Sequence, residues 1–298
     1  MSEDFPIVDA HQHFWDIQAN YYPWLCDEPP IPFRYGDYSA IRRRYLPDDY
    51  FANVVPHNVV KTVYVEAEWD PNVPVGEARY ISRLRDDTNF PTVMVGQAWL
   101  DRDDCVSVLE QLSSFDFMRS IRHKPRANVS PNEAAPGGMT DVRWRAGFAR
   151  LSPLGLRFDL QTPWWHLAEA ASLARDFPDT RIILNHTGLP SDRNAEALVG
   201  WKCAITTLAA CPNAVIKISG LGQPGRTWNV DANRAIVLTA IEAFGVERAM
   251  FASNFPVDSL CANFDTIFSG YRSFVSDFSD LEQRALFHDN AVRIYAME

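Results

Sequence analysis

Eight short apolar runs, each followed by enough chain to cross back over a sheet, constrain this 298-residue sequence more than any other feature. They fall at 7–14, 61–67, 92–98, 120–124, 156–161, 181–186, 214–219 and 249–254. Stretches with apolar residues at helical spacing stand between most of them, at 76–87, 105–115, 142–151, 165–176, 195–210 and 230–244. Two more, 264–275 and 281–295, follow the last run. Strands that alternate with helices imply a parallel sheet, because a parallel neighbour is reached only through a crossover. Eight such units imply an α/β chain closed into a (β/α)8 TIM-type barrel. The rival, an open doubly wound sheet, usually carries a glycine-rich phosphate turn after its first strand, and none stands here. No composition break or low-complexity segment divides the chain, so one domain over 1–298 is expected.

Two connections break the rhythm. Residues 15–49 are dense in aromatics and proline, and 125–140 carry Pro131, Pro136, Gly137 and Gly138. Proline at this density blocks regular structure, and loops of this length in compact proteins are usually lids or binding loops. The long irregular loops after strands one and four are thus expected over one end of the barrel, with Trp24 walling a pocket.

Charge narrows the partners. A net charge of −10 argues against nucleic acid and anionic membrane, but a local basic cluster could still bind a small acidic molecule. The acidic opening Met1-Ser2-Glu3-Asp4 is unlike a signal peptide, and no apolar run reaches spanning length. Five scattered cysteines without a Cys-x-x-Cys pair suit a reduced compartment, so the cytoplasm is expected. Nothing in the sequence sets an oligomeric state.

In a closed parallel barrel the chemistry sits at the carboxyl ends of the strands. Those ends read His11 and His13, Glu66, Gln97, Arg122 with Lys124, Gln161, His186, Lys217 with Ser219, and Asn254. Period-two alternation puts Asp9, His11 and His13 on one face, and His186 on the face of Ile182 and Leu184. It sets Arg122 and Lys124 apart from Ile121 and His123, so His123 is expected to pack outside the barrel. Converging imidazoles can grip a metal ion or polarise a carbonyl without one. The planar fork of Arg122 matches a carboxylate, with Lys124 and Arg126 as helpers and Gln161 beside them. His166, just past the fifth strand, is a second-tier pocket candidate; His57 and His288 lie away from any strand end.

Three motifs, in order from first strand to last, give the chain a family likeness. They are Val8-Asp9-Ala10-His11-Gln12-His13-Phe14-Trp15, Ile183-Leu184-Asn185-His186-Thr187-Gly188-Leu189-Pro190 and Met250-Phe251-Ala252-Ser253-Asn254-Phe255-Pro256-Val257. The chain resembles the amidohydrolase superfamily, in its branch of lactonases acting on sugar-acid lactones and on a pyrone dicarboxylate. That resemblance implies a barrel-borne hydrolase of an ester-like bond, with a small acidic or polyhydroxylated lactone as substrate. It also implies an aspartate at the end of the eighth strand that ligates metal and takes the proton of the attacking water. This chain has Asn254 there, and an amide cannot accept that proton near neutral pH.

The expected roles follow. His11, His13 and His186 hold one divalent ion, Zn or Mn, or act without metal as donors to the developing oxyanion. Glu66 is the preferred general base and Asp258 the alternative. Three rivals stand beside hydrolysis: a Schiff-base lyase using Lys217, a decarboxylase or hydratase of the same superfamily, and a non-catalytic binding barrel.

Overall fold

The structure, a computed structural model, describes residues 5–133 and 135–297. The acidic opening 1–4 lies outside them. Eight parallel strands form one sheet in sequence order, β1 to β8. They are Ile7–Gln12, Val59–Val65, Val93–Gln97, Met118–Arg122, Arg157–Leu160, Ile182–Leu184, Ala214–Ile218 and Ala249–Phe251. A helix crosses over after each: α1 (Pro47–Val54), α2 (Gly76–Thr88), α3 (Cys105–Ser113), α4 (Val142–Phe148), α5 (Leu167–Asp176), α6 (Ala195–Ala209), α7 (Val230–Phe244) and α8 (Phe264–Phe274). The seam closes where Asn254 N–H donates to His11 O and His13 N–H to Phe255 O, both at 2.8 Å. The barrel expectation holds. The irregular stretch after β1 is shorter than expected, because α1 begins inside it: Pro47 is pre-set for a first helical turn, and the Asp49 carboxylate accepts the Leu46 N–H at 2.9 Å. Among the described residues no helix is long and apolar enough to cross a membrane.

Side chains of alternating parity build two cores. Val63, Val65, Val93, Val95, Ile183, Val215 and Met250 fill the barrel's interior. Tyr64, Met94, Phe158, Leu160, Ile182, Leu184 and Ile216 pack outward beneath the helices. The last helix, α9 (Asn290–Tyr295), stops the far end of the interior with Ala291, Ile294 and Tyr295. Arg157, at the start of β5, ties it down by donating to Ile294 O at 2.5 Å.

One ion pair interrupts the apolar interior. Lys217 Nζ lies 2.6 Å from Asp159 Oδ1, and both side chains are fully buried. Tyr295 OH and Asn185 Nδ2 donate to the same carboxylate at 2.9 and 3.0 Å. Burial draws the Lys217 pKa down while Asp159 opposes the shift. A free, reactive amine is not on offer, so the Schiff-base reading loses its nucleophile. Removing one partner of a buried pair leaves the other uncompensated, at about 3–5 kcal/mol. Lys217→Met is expected to lower stability by about that much, read from the shift of the urea unfolding midpoint at constant slope.

Candidate active site

Two local distortions aim the histidines. Between Asp9 and Gln12 β1 uses three steps where β2, from Thr62 to Tyr64, uses two. The extra residue is a β-bulge, and it resets the parity of everything after it. Asp9 therefore leaves the face of His11 and His13, contrary to the alternation argument. Its carboxylate turns outward to accept from Tyr50 OH (2.8 Å), Ser253 N–H (2.8 Å) and Ser253 Oγ (2.6 Å). His186 is redirected in a different way. Ile182 and Leu184 face the outer core, so an unbroken β6 would send His186 outward as well. Instead the strand stops at Leu184, and His186 and Thr187 both take φ of +53°. That left-handed turn swings the imidazole into the barrel mouth. Gly220 (φ +64°) makes room behind it: a Cβ there would stand 2.8 Å from His186 Cβ.

A cavity of about 320 Å3 opens at this mouth. Of the residues expected from sequence, His13, His186, Arg122, Lys124, Gln161, Asn254 and Trp24 line it. Trp24 is fixed by its Nε1–H bond to Ala67 O at 2.9 Å and by stacking on Phe33. The post-β1 loop also brings in Arg34, which no periodicity in a proline-rich stretch could have flagged. Glu68 is the other omission; it continues, two residues on, the polar end of the second strand. Glu68 and Asn254 also have left-handed φ, at +58° and +57°. For non-glycine residues this costs about 1–2 kcal/mol each, a strain that clusters at functional sites.

The remaining expected residues sit elsewhere. His11 is fully buried behind His13. Glu66 is buried too, with its carboxylate against Arg122 Nε and accepting the Glu68 N–H at 2.7 Å, so it is a partner of Arg122 and not a free base. His166 is not on the wall. It accepts the Asn128 N–H at 2.9 Å and pairs with Glu169, pinning the post-β4 loop to α5. His123 packs against Trp144, outside the barrel as its parity required.

Hydrogen bonding fixes the imidazoles' roles. His13 Nδ1 donates to Val65 O at 2.7 Å, since a carbonyl only accepts. Burial and Arg122 pull His13 down to about 3, and burial with neighbouring cationic groups holds His11 and His186 well below the ordinary histidine range. Neutral His13 must then accept at Nε2, from His11 Nε2 at 3.2 Å. In that state both ring nitrogens of His13 are taken up within the protein. His186 has Nδ1 on Ser219 Oγ at 2.9 Å, which leaves Nε2 for the cavity. Arg122 spends three of its five N–H groups on Glu66 Oε1, Glu66 O and Gln161 Oε1, leaving two for a ligand. Asn254 Nδ2 donates to Asp258 Oδ1 at 2.6 Å, and Tyr35 OH at 2.9 Å and Arg34 crowd the same oxygen. Burial raises the Asp258 pKa, against the pull of Arg34 and these donors.

His11, His13 and His186 are the ligands expected for a divalent ion, with a metal-free site as the alternative. The 3.2 Å between the first two Nε2 atoms is close to the edge of a zinc tetrahedron, about 3.3 Å for Zn–N bonds of 2.0–2.1 Å. His186 instead tilts across His11 and bonds Ser219. Among the described residues no group of three or more His, Cys, Asp or Glu is arranged to hold an ion. Two donors fall short of a site.

Comparison with known proteins places the chain in a family. A family model described as Amidohydrolase matches residues 8–297. The chain belongs to the amidohydrolase family. It is 42% identical to the uncharacterized protein y4mH of Sinorhizobium fredii, over 98% of this chain and 99% of the relative. An L-fucono-1,5-lactonase of Burkholderia multivorans is 25% identical, over 97% of this chain and 96% of its own. A crystal structure of a Burkholderia multivorans amidohydrolase with bound zinc superimposes with a TM-score of 0.81 at 25% identity, covering 98% and 99% of the two chains. The amidohydrolase described here is a hydrolase with lactonases among its relatives.

Two tests follow from the site's electrostatics. Asn254→Asp sets a carboxylate beside the histidine pair, so elemental analysis is expected to find more zinc in the variant than in the parent; equal contents would place residue 254 away from any ion. The depressed histidines also predict an acid response. They bind protons in the unfolded chain below about pH 6.5 but resist doing so when folded, so stability is expected to fall as pH drops from there toward about 3. Denaturant midpoints measured across that range check the sign.

Proposed function

We propose that this amidohydrolase opens a lactone that carries a carboxylate. The reading rests on one observation above all: Arg34, Arg122 and Lys124 converge on a cavity whose histidines are uncharged. Three cations around a small, half-enclosed volume favour an anion, and two spare guanidinium N–H groups of Arg122 suit the two oxygens of a carboxylate. The lactonase of Burkholderia multivorans supports the bond type. A crystal structure from that organism holds zinc, which is why the test below is run with chelator as well as without.

Arg122 and Lys124 hold the substrate by its carboxylate. His186, with Ser219 donating to Nδ1, directs its Nε2–H at the lactone carbonyl and stabilises the oxyanion that forms when water adds. The low basicity of His186 keeps that proton count fixed through neutral pH. Trp24 and Phe33 cover the apolar face of the ring. Collapse of the tetrahedral adduct breaks the ring C–O bond and leaves a hydroxy acid.

The test is a panel of carboxylated and uncharged γ- and δ-lactones, followed by acid release and by carbon dioxide analysis, with and without chelator. Carboxylated lactones are expected to turn over with one proton released and no carbon dioxide. Carbon dioxide would point to a decarboxylase, and silence on the whole panel to a binding protein. Arg122→Lys keeps the charge but loses the fork. It is expected to lower kcat/KM for carboxylated lactones at least about tenfold more than for uncharged ones, a difference of about 1.4 kcal/mol. An equal loss on both classes would remove Arg122 from carboxylate binding.

A further inference from the structure

Each cation at the cavity has a carboxylate partner, and the three pairs differ in one respect. Arg34 is paired with Asp258, Arg122 with Glu66 and Lys124 with Glu68. Asp258 and Glu66 are each only 2% exposed and stand behind the wall. Glu68 is 38% exposed, as is Lys124, and it is the sole carboxylate among the described residues that line the cavity. Its backbone is held in the left-handed region, with its N–H on the Glu66 carboxylate that Arg122 in turn fixes. A strained backbone braced from behind by a buried ion pair is a way of presenting one side chain to one place.

The geometry points to Glu68 as the general base that Asn254 cannot be, released for that task when the substrate's own carboxylate takes Lys124 from it. This rests on the lactone reading above. In the free enzyme Lys124 occupies the Glu68 carboxylate. A carboxylated substrate brings a competing anion within reach of Lys124 and the spare N–H groups of Arg122. The exchange leaves the Glu68 carboxylate free of its cation next to bound substrate. Glu68 then takes a proton from water as the water oxygen bonds to the lactone carbonyl carbon. When the adduct collapses, the electron pair of the breaking C–O bond stays on the ring oxygen, and Glu68 returns the proton there. Lactone and water give hydroxy acid, with no other reactant.

Glu68→Gln, Glu68→Asp and Lys124→Met test this together, using turnover of a carboxylated δ-lactone and calorimetric binding of the lactam that bears the same carboxylate. Glu68→Gln is expected to lower kcat by about 10²–10⁴-fold. The same variant should bind the lactam more tightly, by roughly threefold or more, because Lys124 no longer has a charged partner to give up. Glu68→Asp should recover part of kcat, and Lys124→Met should weaken lactam binding at least about tenfold. Wild-type turnover should fall on the acid side through a carboxylate titration that is missing from the residual rate of Glu68→Gln. A Glu68→Gln enzyme with kcat within about threefold of wild type would overturn the base role while leaving the lactonase standing. Loss of lactam binding along with kcat would overturn the exchange of partners. A wild-type enzyme that binds the lactam yet opens no lactone would sink the hydrolytic reading itself, and the base with it.

Discussion

The seam where β8 meets β1 is the constraint on which the rest of the site depends. Asn254 and Phe255 bond to the backbone of His11 and His13, so the same contacts that close the cylinder bring the first and last motifs of the chain side by side. Asp9 strengthens the seam from outside by accepting from Ser253 and Tyr50, having been turned there by the bulge in β1. That buried carboxylate is well satisfied, with donors from two other elements, which is what a charge needs in order to remain in a core. The bulge is what lets β1 turn Asp9 toward Ser253 and the two histidines toward the mouth.

Electrostatics inside the mouth follow from a second regularity. Cations surround the imidazoles, and burial removes the water that would otherwise stabilise a proton on them. Three neutral rings result; Val65 O sets the tautomer of His13 and His13 that of His11, while Ser219 holds Nδ1 of His186. The positive charge is carried instead by two arginines and a lysine, each balanced by a carboxylate. Such a site is poised for an anion without carrying a large uncompensated charge when empty.

Asn254 at the end of β8 has a visible structural role. The amide cannot act as a base, but its Nδ2 reaches Asp258 one helical turn further on, and so a carboxylate is held beside the strand end. Tyr35 and Arg34 anchor that carboxylate to the post-β1 loop, tying the loop's position to the strand end. The loop and the catalytic face are thereby one unit: Arg34 faces the cavity because Asp258 holds it there.

The barrel was written plainly in the sequence, because eight apolar runs with crossover-length spacing admit few other closures, and the inner and outer cores follow the period-two pattern strand by strand. The polar residues at the strand ends were equally readable for Arg122, Lys124 and His123, because the shift in β4's pairing lies before Ser120 and the register from there to Arg122 is unbroken. Parity failed at Asp9 and His186, where a one-residue bulge and a left-handed turn reset it, and neither leaves a mark that a pattern of apolar and polar residues can show. Glu66 and His166 have the right chemistry and the right neighbourhood, yet the first is consumed by Arg122 and the second by a loop amide. Arg34 and Glu68 were invisible for the opposite reason: they come from irregular backbone, where sequence spacing does not encode direction. The sequence by itself determined the cylinder, the end at which chemistry sits and the family. Only the tertiary structure decided which polar groups face the cavity and which are used up by one another, because hydrogen-bond partners in a closed barrel come from strands far apart in the chain.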